Sequence, residues 1–268
     1  MTSFHVVAGA GGAPAWPAIR RIGIGDLFDC LRAGWDDFMA KPSHIVFIIL
    51  MYPLIGVVLA AWTSGANALP MLFPLASGFA LLGPFAAIGL YEISRRRELG
   101  MEVSWRRVLE LRRSPALPSI FAVGAMLLAI FIAWLLAAQG LYTALFGPEP
   151  PDSVAAFAAQ VFGTPEGRTL ILAGNAIGLV FAIVALSTTV VAFPLLVDRD
   201  AGAWAAVATS ARAVLANPVP MAAWGLIVAL LLALGSLPLF AGLIVVFPLL
   251  GHATWHLYRK VVADGPRS

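Results

Sequence analysis

The chain has 268 residues, of which 60% are hydrophobic and only 12% are charged, and its mean hydropathy is +0.90. Soluble domains have about 45–50% apolar and about 25% charged residues, so this composition excludes an ordinary soluble protein and indicates an integral membrane protein. The formal net charge of +3 accompanies no nucleic-acid-binding motif, and the single cysteine, Cys30, excludes an internal disulfide and a Cys-based zinc site.

Residues 1–22 are predicted to form a flexible tail, because residues 1–19 are rich in Gly, Ala and Pro and carry no charged side chain. A six-span membrane domain is predicted over residues 23–262, and residues 263–268 form a short C-terminal tail. The pattern of residues 24–38 has an aromatic face and a charged face at helical spacing. An amphipathic helix of this kind is expected to lie in the membrane interface.

Six hydrophobic segments are predicted to cross the membrane as helices of about 20 residues each. In chain order they are residues 43–62, 70–93, 118–138, 169–197, 219–237 and 239–255. Two further amphipathic surface helices are predicted at residues 103–111 and 204–215. The long Pro-rich connection at residues 147–167 is predicted to contain a short helix at residues 154–162. The fold class is therefore an all-α polytopic membrane protein with three helix pairs.

The distribution of basic residues predicts the orientation. With six spans, Arg168 alone among the 17 Lys and Arg residues falls on the side opposite the two termini. The positive-inside rule then places both termini and all three surface helices in the cytoplasm.

A weak internal repeat supports the division into three helix pairs. Each unit has a surface helix with a tryptophan, followed by a residue–proline step into the next span. The tryptophans are Trp35, Trp105 and Trp204, and the steps are Lys41-Pro42, Ser114-Pro115 and Asn217-Pro218. Because all three surface helices fall on one face, the repeats are parallel rather than inverted.

Ionisable and polar groups in or near the spans are the candidates for structural or functional roles. They are Glu92, Asn175, Asp198, His252 and His256. The two histidines are one helical turn apart, as two metal ligands can be, but neither an HExxH glutamate nor a third ligand accompanies them. His252 and His256 are therefore named as the candidate metal ligands. We predict no catalytic residue, no cofactor and no bound metal for this chain. Glu92 and His256 occupy equivalent repeat positions, and we predict that they pair between spans two and six.

The arginine-rich stretch that follows span two has two interpretations: it binds anionic lipid headgroups, or it only sets the orientation. Its members are Arg95, Arg96, Arg97, Arg106, Arg107, Arg112 and Arg113.

Three segments resemble a known family. They are GLYEISRRRELG, LLVDRDAGAWAAVATSARAVLANPVPMAAWG and FPLLGHATWHLYRK. They resemble the bacterial family called domain of unknown function 2189, a family of predicted integral membrane proteins. The resemblance covers residues 25–262 and implies an uncharacterised membrane protein with no established activity.

Two classes of function remain open. Because polar groups inside the spans are sparse, we predict a non-catalytic accessory or scaffold protein that contacts membrane lipids or another integral membrane complex. The alternative is a transporter or channel for a small or lipid-like solute, with prolines breaking its helices. A mid-membrane polar cavity lined by Asn175, Ser187, Thr188 or His252 would favour transport, and a filled bundle would favour the scaffold.

Overall fold

A computed structural model describes residues 17–40, 70–71, 73–75, 83–103, 113–149, 151–238 and 241–263. Within these ranges the chain is helical apart from its connections and one isolated antiparallel bridge between Ile19 and Val262. The predicted all-α class is confirmed for this part of the chain. The first predicted span and nearly all of the second surface helix lie outside the described residues.

The main helices are numbered here in chain order. They are α1 (Ile24–Ala40), α2 (Ile88–Glu98), α3 (Leu117–Phe146), α4 (Val154–Gly163), α5 (Pro165–Thr189), α6 (Ala192–Asp198), α7 (Ala203–Ala216), α8 (Pro218–Ser236) and α9 (Leu243–Val261). A one-turn helix, Gly83–Ala86, precedes α2. The short helix predicted in the long connection is present as α4, whose first turn is capped by the Ser153 hydroxyl.

Three helical stretches in the described ranges are long and apolar enough to cross a membrane. They are Leu117–Phe146, Pro165–Asp198 and Pro218–Ser236. Large apolar side chains on their outer faces are exposed, as expected where lipid tails replace water. The chain is therefore a multi-pass membrane protein. The count of six spans stays a prediction, because α2 has only 11 residues and α9 carries two histidines and two cations.

The fourth span is broken at Val190, between α5 and α6. Pro194 has no N–H to give to the Val190 carbonyl, so a continuous helix would leave that acceptor without its partner. The Val191 N–H instead lies 3.3 Å from the Ser210 hydroxyl of α7, which accepts its hydrogen bond. This buried break brings α7 against the core.

Helix α9 is the element on which α1 and α2 pack, and a glycine lies at each contact. A Cβ atom on Gly34 of α1 would lie 2.6 Å from the backbone nitrogen of Ala253. A Cβ atom on Gly251 would meet the end of the flexible Leu90 side chain of α2. Since only the first contact is with backbone atoms, Gly34 is the residue that sets a helix distance, namely that between α1 and α9.

Helix α1 runs antiparallel to α9, and it has a face that the sequence pattern did not predict. Lys260, at the end of α9, bonds Asp26 at the start of α1, whereas Gly34 further along α1 meets Ala253. Its buried face comprises Leu27, Cys30, Gly34, Asp37 and Phe38. The aromatic side chains of Phe28 and Trp35 are exposed on another side.

Helix α7 is built in the same way. Its buried face consists of small residues, namely Ala206, Thr209, Ser210 and Ala213. Trp204 and Leu215, which the sequence placed on its apolar face, are exposed. Helices α1 and α7 thus both include small residues in their buried face and present a tryptophan outward.

Residues 18–20 pair with the end of the chain, although they were predicted to belong to the flexible tail. The Arg20 N–H donates to the Val261 carbonyl at 2.7 Å, and the Ala263 N–H donates to the Ala18 carbonyl at 2.9 Å. Residues 18, 20 and 263, which fall in the two predicted tails, therefore take part in backbone hydrogen bonds that join the two segments. Local composition cannot reveal a backbone pairing between residues more than 200 positions apart.

Asn217, at the start of α8, holds this N-terminal segment. Its Oδ1 accepts a hydrogen bond from the Ile22 N–H at 2.9 Å, and its Nδ2 donates to the Arg20 carbonyl at 3.1 Å. Replacing Asn217 by alanine is expected to weaken the attachment by about 1–3 kcal/mol, because a buried donor and acceptor lose their partner. Hydrogen exchange of the Ile22 amide measures this, and it should become faster.

Ser236→Ala is the control, since the Ser236 hydroxyl donates to the Leu232 carbonyl within its own helix and is remote in sequence from the N-terminal segment. Unchanged exchange at Ile22 in N217A would show that the backbone bonds to the end of α9 suffice to hold the segment.

Candidate functional site

A buried polar cluster joins α1, α2 and α9, and Asp37 is at its centre. Its Oδ2 accepts the Ser94 hydroxyl proton and lies 2.9 Å from Nε2 of His256. Its Oδ1 accepts a hydrogen bond from Arg97 Nη1 at 2.6 Å. The Ser94 hydroxyl also lies 2.8 Å from Nδ1 of His252. We call these five residues the Asp37 cluster.

The Asp37 cluster contains the residue types of a hydrolase triad in a different order. In a triad the imidazole lies between the serine and the carboxylate, and the hydroxyl is open to substrate. Here Ser94 lies between Asp37 and His252, and Ser94 and His252 are 1% and 0% exposed. The Ser94 hydroxyl donates to Asp37, and the Ser94 oxygen thus lies between the carboxylate and the His252 imidazole. The arrangement therefore connects helices and offers no nucleophile to a substrate.

The charge state of Asp37 follows from its partners. Burial alone would raise the pKa of this carboxyl, but the hydrogen bonds from His256 and Ser94 outweigh that effect. The pKa of Asp37 is therefore lowered, and the group is an ionised carboxylate at neutral pH. A buried charge of this kind is tolerated because several donors surround it.

A second polar cluster joins α2, α6 and α9. The Tyr258 hydroxyl donates to Oδ2 of Asp198 at 2.6 Å. Glu98 accepts hydrogen bonds from Trp255 Nε1 and Arg259 Nε, both at 2.9 Å. Asp198, one of the predicted candidates, thus has a structural role at the end of the fourth span.

The predicted pair of Glu92 and His256 is not formed, because each residue has another partner. Glu92 accepts from Arg96 Nε at 2.6 Å within α2, and His256 lies against Asp37. Helices α2 and α9 do pack together, at Leu90 and Gly251. The repeat alignment found the neighbouring helices but could not anticipate the carboxylate that α1 supplies.

The two histidines of the candidate metal pair point to different partners, His252 to Ser94 and His256 to Asp37. Across the described ranges, no group of three or more His, Cys, Asp or Glu side chains is arranged to hold a metal ion. Asn175 is exposed near the middle of α5, and its Nδ2 donates to the Ile171 carbonyl at 2.7 Å.

Four of the seven arginines that were predicted to bind lipid headgroups lie within the described residues. Arg96 and Arg97 are in short ion pairs with Glu92 and Asp37, both at 2.6 Å, whereas Arg95 has only longer contacts. Arg113 is exposed just before α3. Arg106, Arg107 and Arg112 lie outside the described residues.

Two clefts lie at the charged end of the bundle. The larger, about 470 Å³, is bordered by the N-terminal segment, α1 and the end of α9, and His256 and Lys260 line it. The smaller, about 290 Å³, lies between α2, the start of α3 and the residues that follow α6. Sequence reasoning found neither, since each is formed by segments far apart in the chain.

A family model described as a predicted integral membrane protein (DUF2189) matches residues 71–198. This range includes α2 to α6 and the motif GLYEISRRRELG, so the resemblance drawn from the sequence is confirmed for this part of the chain. Comparison with curated proteins and with solved structures gives no match.

Proposed function

We propose that this chain, whose residues 71–198 match the model of a family of predicted integral membrane proteins (DUF2189), is a non-catalytic accessory protein of the bacterial inner membrane. In this proposal it docks a transmembrane helix of another membrane protein on α5, and lipids cover the rest of its apolar surface.

The outer face of α5 carries the proposal. Leu172 is 74% exposed, and Leu179 and Val180 are also exposed. Asn175 lies among them and is itself exposed. An amide is unfavourable in hydrocarbon unless it bonds to a neighbouring helix, and such bonds between membrane helices contribute about 0.6–2 kcal/mol. The Asn175 Nδ2 donates one N–H to the Ile171 carbonyl of α5, so the second N–H and Oδ1 are the groups available to a partner helix.

The other polar residues of the spans support a scaffold rather than a transporter. The Thr188 hydroxyl donates to the Val184 carbonyl of its own helix at 2.7 Å. His252 is buried against Ser94. Both clefts described above lie at the charged end, and neither is lined by Asn175, Thr188 or His252.

The proposed orientation has support from the paired chain ends. Because residues 18–20 bond residues 261–263, both segments lie side by side, as an even number of spans requires. The positive-inside rule then favours the cytoplasm for this end, where the arginines of α2 also lie. The exposed Trp35 and Trp204 suit the headgroup layer beside it.

Replacing Asn175 by leucine is expected to abolish co-purification of the partner in mild detergent, while the yield and thermal stability of the chain stay unchanged. The substitution removes both the amide N–H and the Oδ1 acceptor that this side chain offers to a partner, and it keeps the face apolar. Quantitative mass spectrometry of proteins recovered with the tagged chain measures the loss.

Gln139→Leu is the matched control, because Gln139 is an exposed amide on α3 whose Nε2 bonds the Thr143 hydroxyl of its own helix at 3.2 Å. A partner recovered equally with both variants would remove α5 as the docking face. Recovery of the wild-type chain alone would contradict the accessory function itself.

A further inference from the structure

The smaller cleft is lined by three guanidinium groups. They belong to Arg95 and Arg96 at the end of α2 and to Arg199 just after α6. Residues 114–116, which lead into α3, form its opposite wall. The cleft thus lies where two of the apolar membrane-crossing stretches begin or end, at the level expected for lipid headgroups.

Arg95 is incompletely bonded. Its Nη1 lies 3.4 Å from Oε2 of Glu92, and its Nε lies 3.6 Å from Oδ1 of Asp198. The Nε atom is buried and has no hydrogen-bond partner among the described residues. By comparison, the Arg96–Glu92 pair is 2.6 Å long. A guanidinium has five donors, and a buried donor without an acceptor is unfavourable.

The carboxylates around the cleft do not satisfy Arg95, because each has a closer partner or is exposed. Glu92 is bound by Arg96, and Asp198 accepts the Tyr258 hydroxyl at 2.6 Å. Asp200 is exposed, so solvent screens its charge. The N-terminal end of α3, a helix of 30 residues, adds the positive end of its dipole beside the Ser114 hydroxyl.

We propose that this cleft binds a phosphate group, with Arg95 as its principal ligand and Arg199 and Ser114 beside it. A tetrahedral phosphate supplies the acceptors that the Arg95 fork lacks, in the geometry that guanidinium groups prefer. The phosphate comes from a phospholipid headgroup or from a free phosphate or phosphate ester. The site involves no part of the docking face on α5, so the two proposals succeed or fail independently.

Binding is measured on the delipidated full chain in detergent by titration calorimetry. One arm uses inorganic phosphate, and the other uses dihexanoyl phosphatidylglycerol below its critical micelle concentration. Saturable binding is expected in at least one arm, and the arm that binds more tightly identifies the source of the phosphate. Arg95→Gln is expected to weaken this binding by about tenfold or more. Arg95→Lys, which keeps the charge but loses the fork, is expected to fall between Arg95→Gln and the wild type.

Arg21→Gln is the control, because Arg21 is an exposed cation that lines the larger cleft instead. Arg21→Gln should change the affinity for the phosphate ligand by less than about twofold, because binding is expected to depend on the cleft around Arg95 and not on the total positive charge nearby. In the wild-type chain, whichever of the two ligands binds in the calorimeter should also protect Arg95 from phenylglyoxal, with the modified residue identified by mass spectrometry. This readout needs no variant to fold. Absence of saturable binding in both arms, equal effects of R95Q and R21Q, or unprotected Arg95 would each overturn the proposal.

Discussion

Replacing Gly34 by alanine is expected to lower the free energy of unfolding by about 3 kcal/mol, a large effect for one added methyl group. The new Cβ would lie 2.6 Å from the nitrogen and 2.8 Å from the Cα of Ala253. These are backbone atoms of α9, so no rotamer change relieves the contact and α1 has to move away. That movement also separates Asp37 from its partners on α2 and α9.

The measurement is thermal unfolding in detergent, in which the midpoint should fall by about 6–12 °C for a protein of this size. Gly25→Ala in the same helix is the control, because nothing lies within 4 Å of its added Cβ. There the only effect is on the helix backbone, where alanine is favoured over glycine by about 0.5–1 kcal/mol. Equal midpoints for the two variants would mean that α1 is not tightly packed on α9.

Features that depend on local sequence were predicted well. The apolar runs identified the stretches now seen as α3, α5–α6 and α8, because length and hydrophobicity alone decide whether a helix can cross a bilayer. The step from Asn217 to Pro218 correctly marked the start of α8, since proline is accommodated in a first helical turn. Pro194, likewise, is the cause of a break inside the fourth span.

Features that depend on distant contacts were not predicted. Helix α1 was described by its aromatic and charged faces, whereas its protein-facing side consists of Cys30, Gly34 and Asp37 with two larger apolar residues. A signal was available, because two small residues four apart on one helix face are typical of close helix contacts. The clefts and the paired chain ends left no such signal, since each joins segments that only the folded chain brings together.

Replacing Asp37 by asparagine is expected to lower the free energy of unfolding by about 3–5 kcal/mol at neutral pH, because it removes the acceptor charge from a buried ion pair. In the variant an amide NH2 replaces one carboxylate oxygen, so a donor faces either Arg97 or the Ser94 and His256 donors where the wild type has an acceptor. Thermal unfolding compared with Asp36→Asn measures the effect. Asp36 is exposed, so that control should change stability by less than about 0.5 kcal/mol.

The same variant tests the charge state of Asp37 through its pH dependence. Since the pKa of Asp37 is lower in the folded protein than the unfolded value of about 3.9, its contribution is complete above that value. The stabilisation by the Asp37 carboxylate is lost as the pH falls from the unfolded pKa through the folded pKa, because in this range the unfolded chain binds the proton more readily than the folded protein does. The wild-type midpoint should therefore drop on acidification below about pH 5, and D37N should lose correspondingly less. Parallel curves for the two proteins would show that Asp37 is already neutral in the fold, and that the hydrogen bonds from His256 and Ser94 do not outweigh its burial.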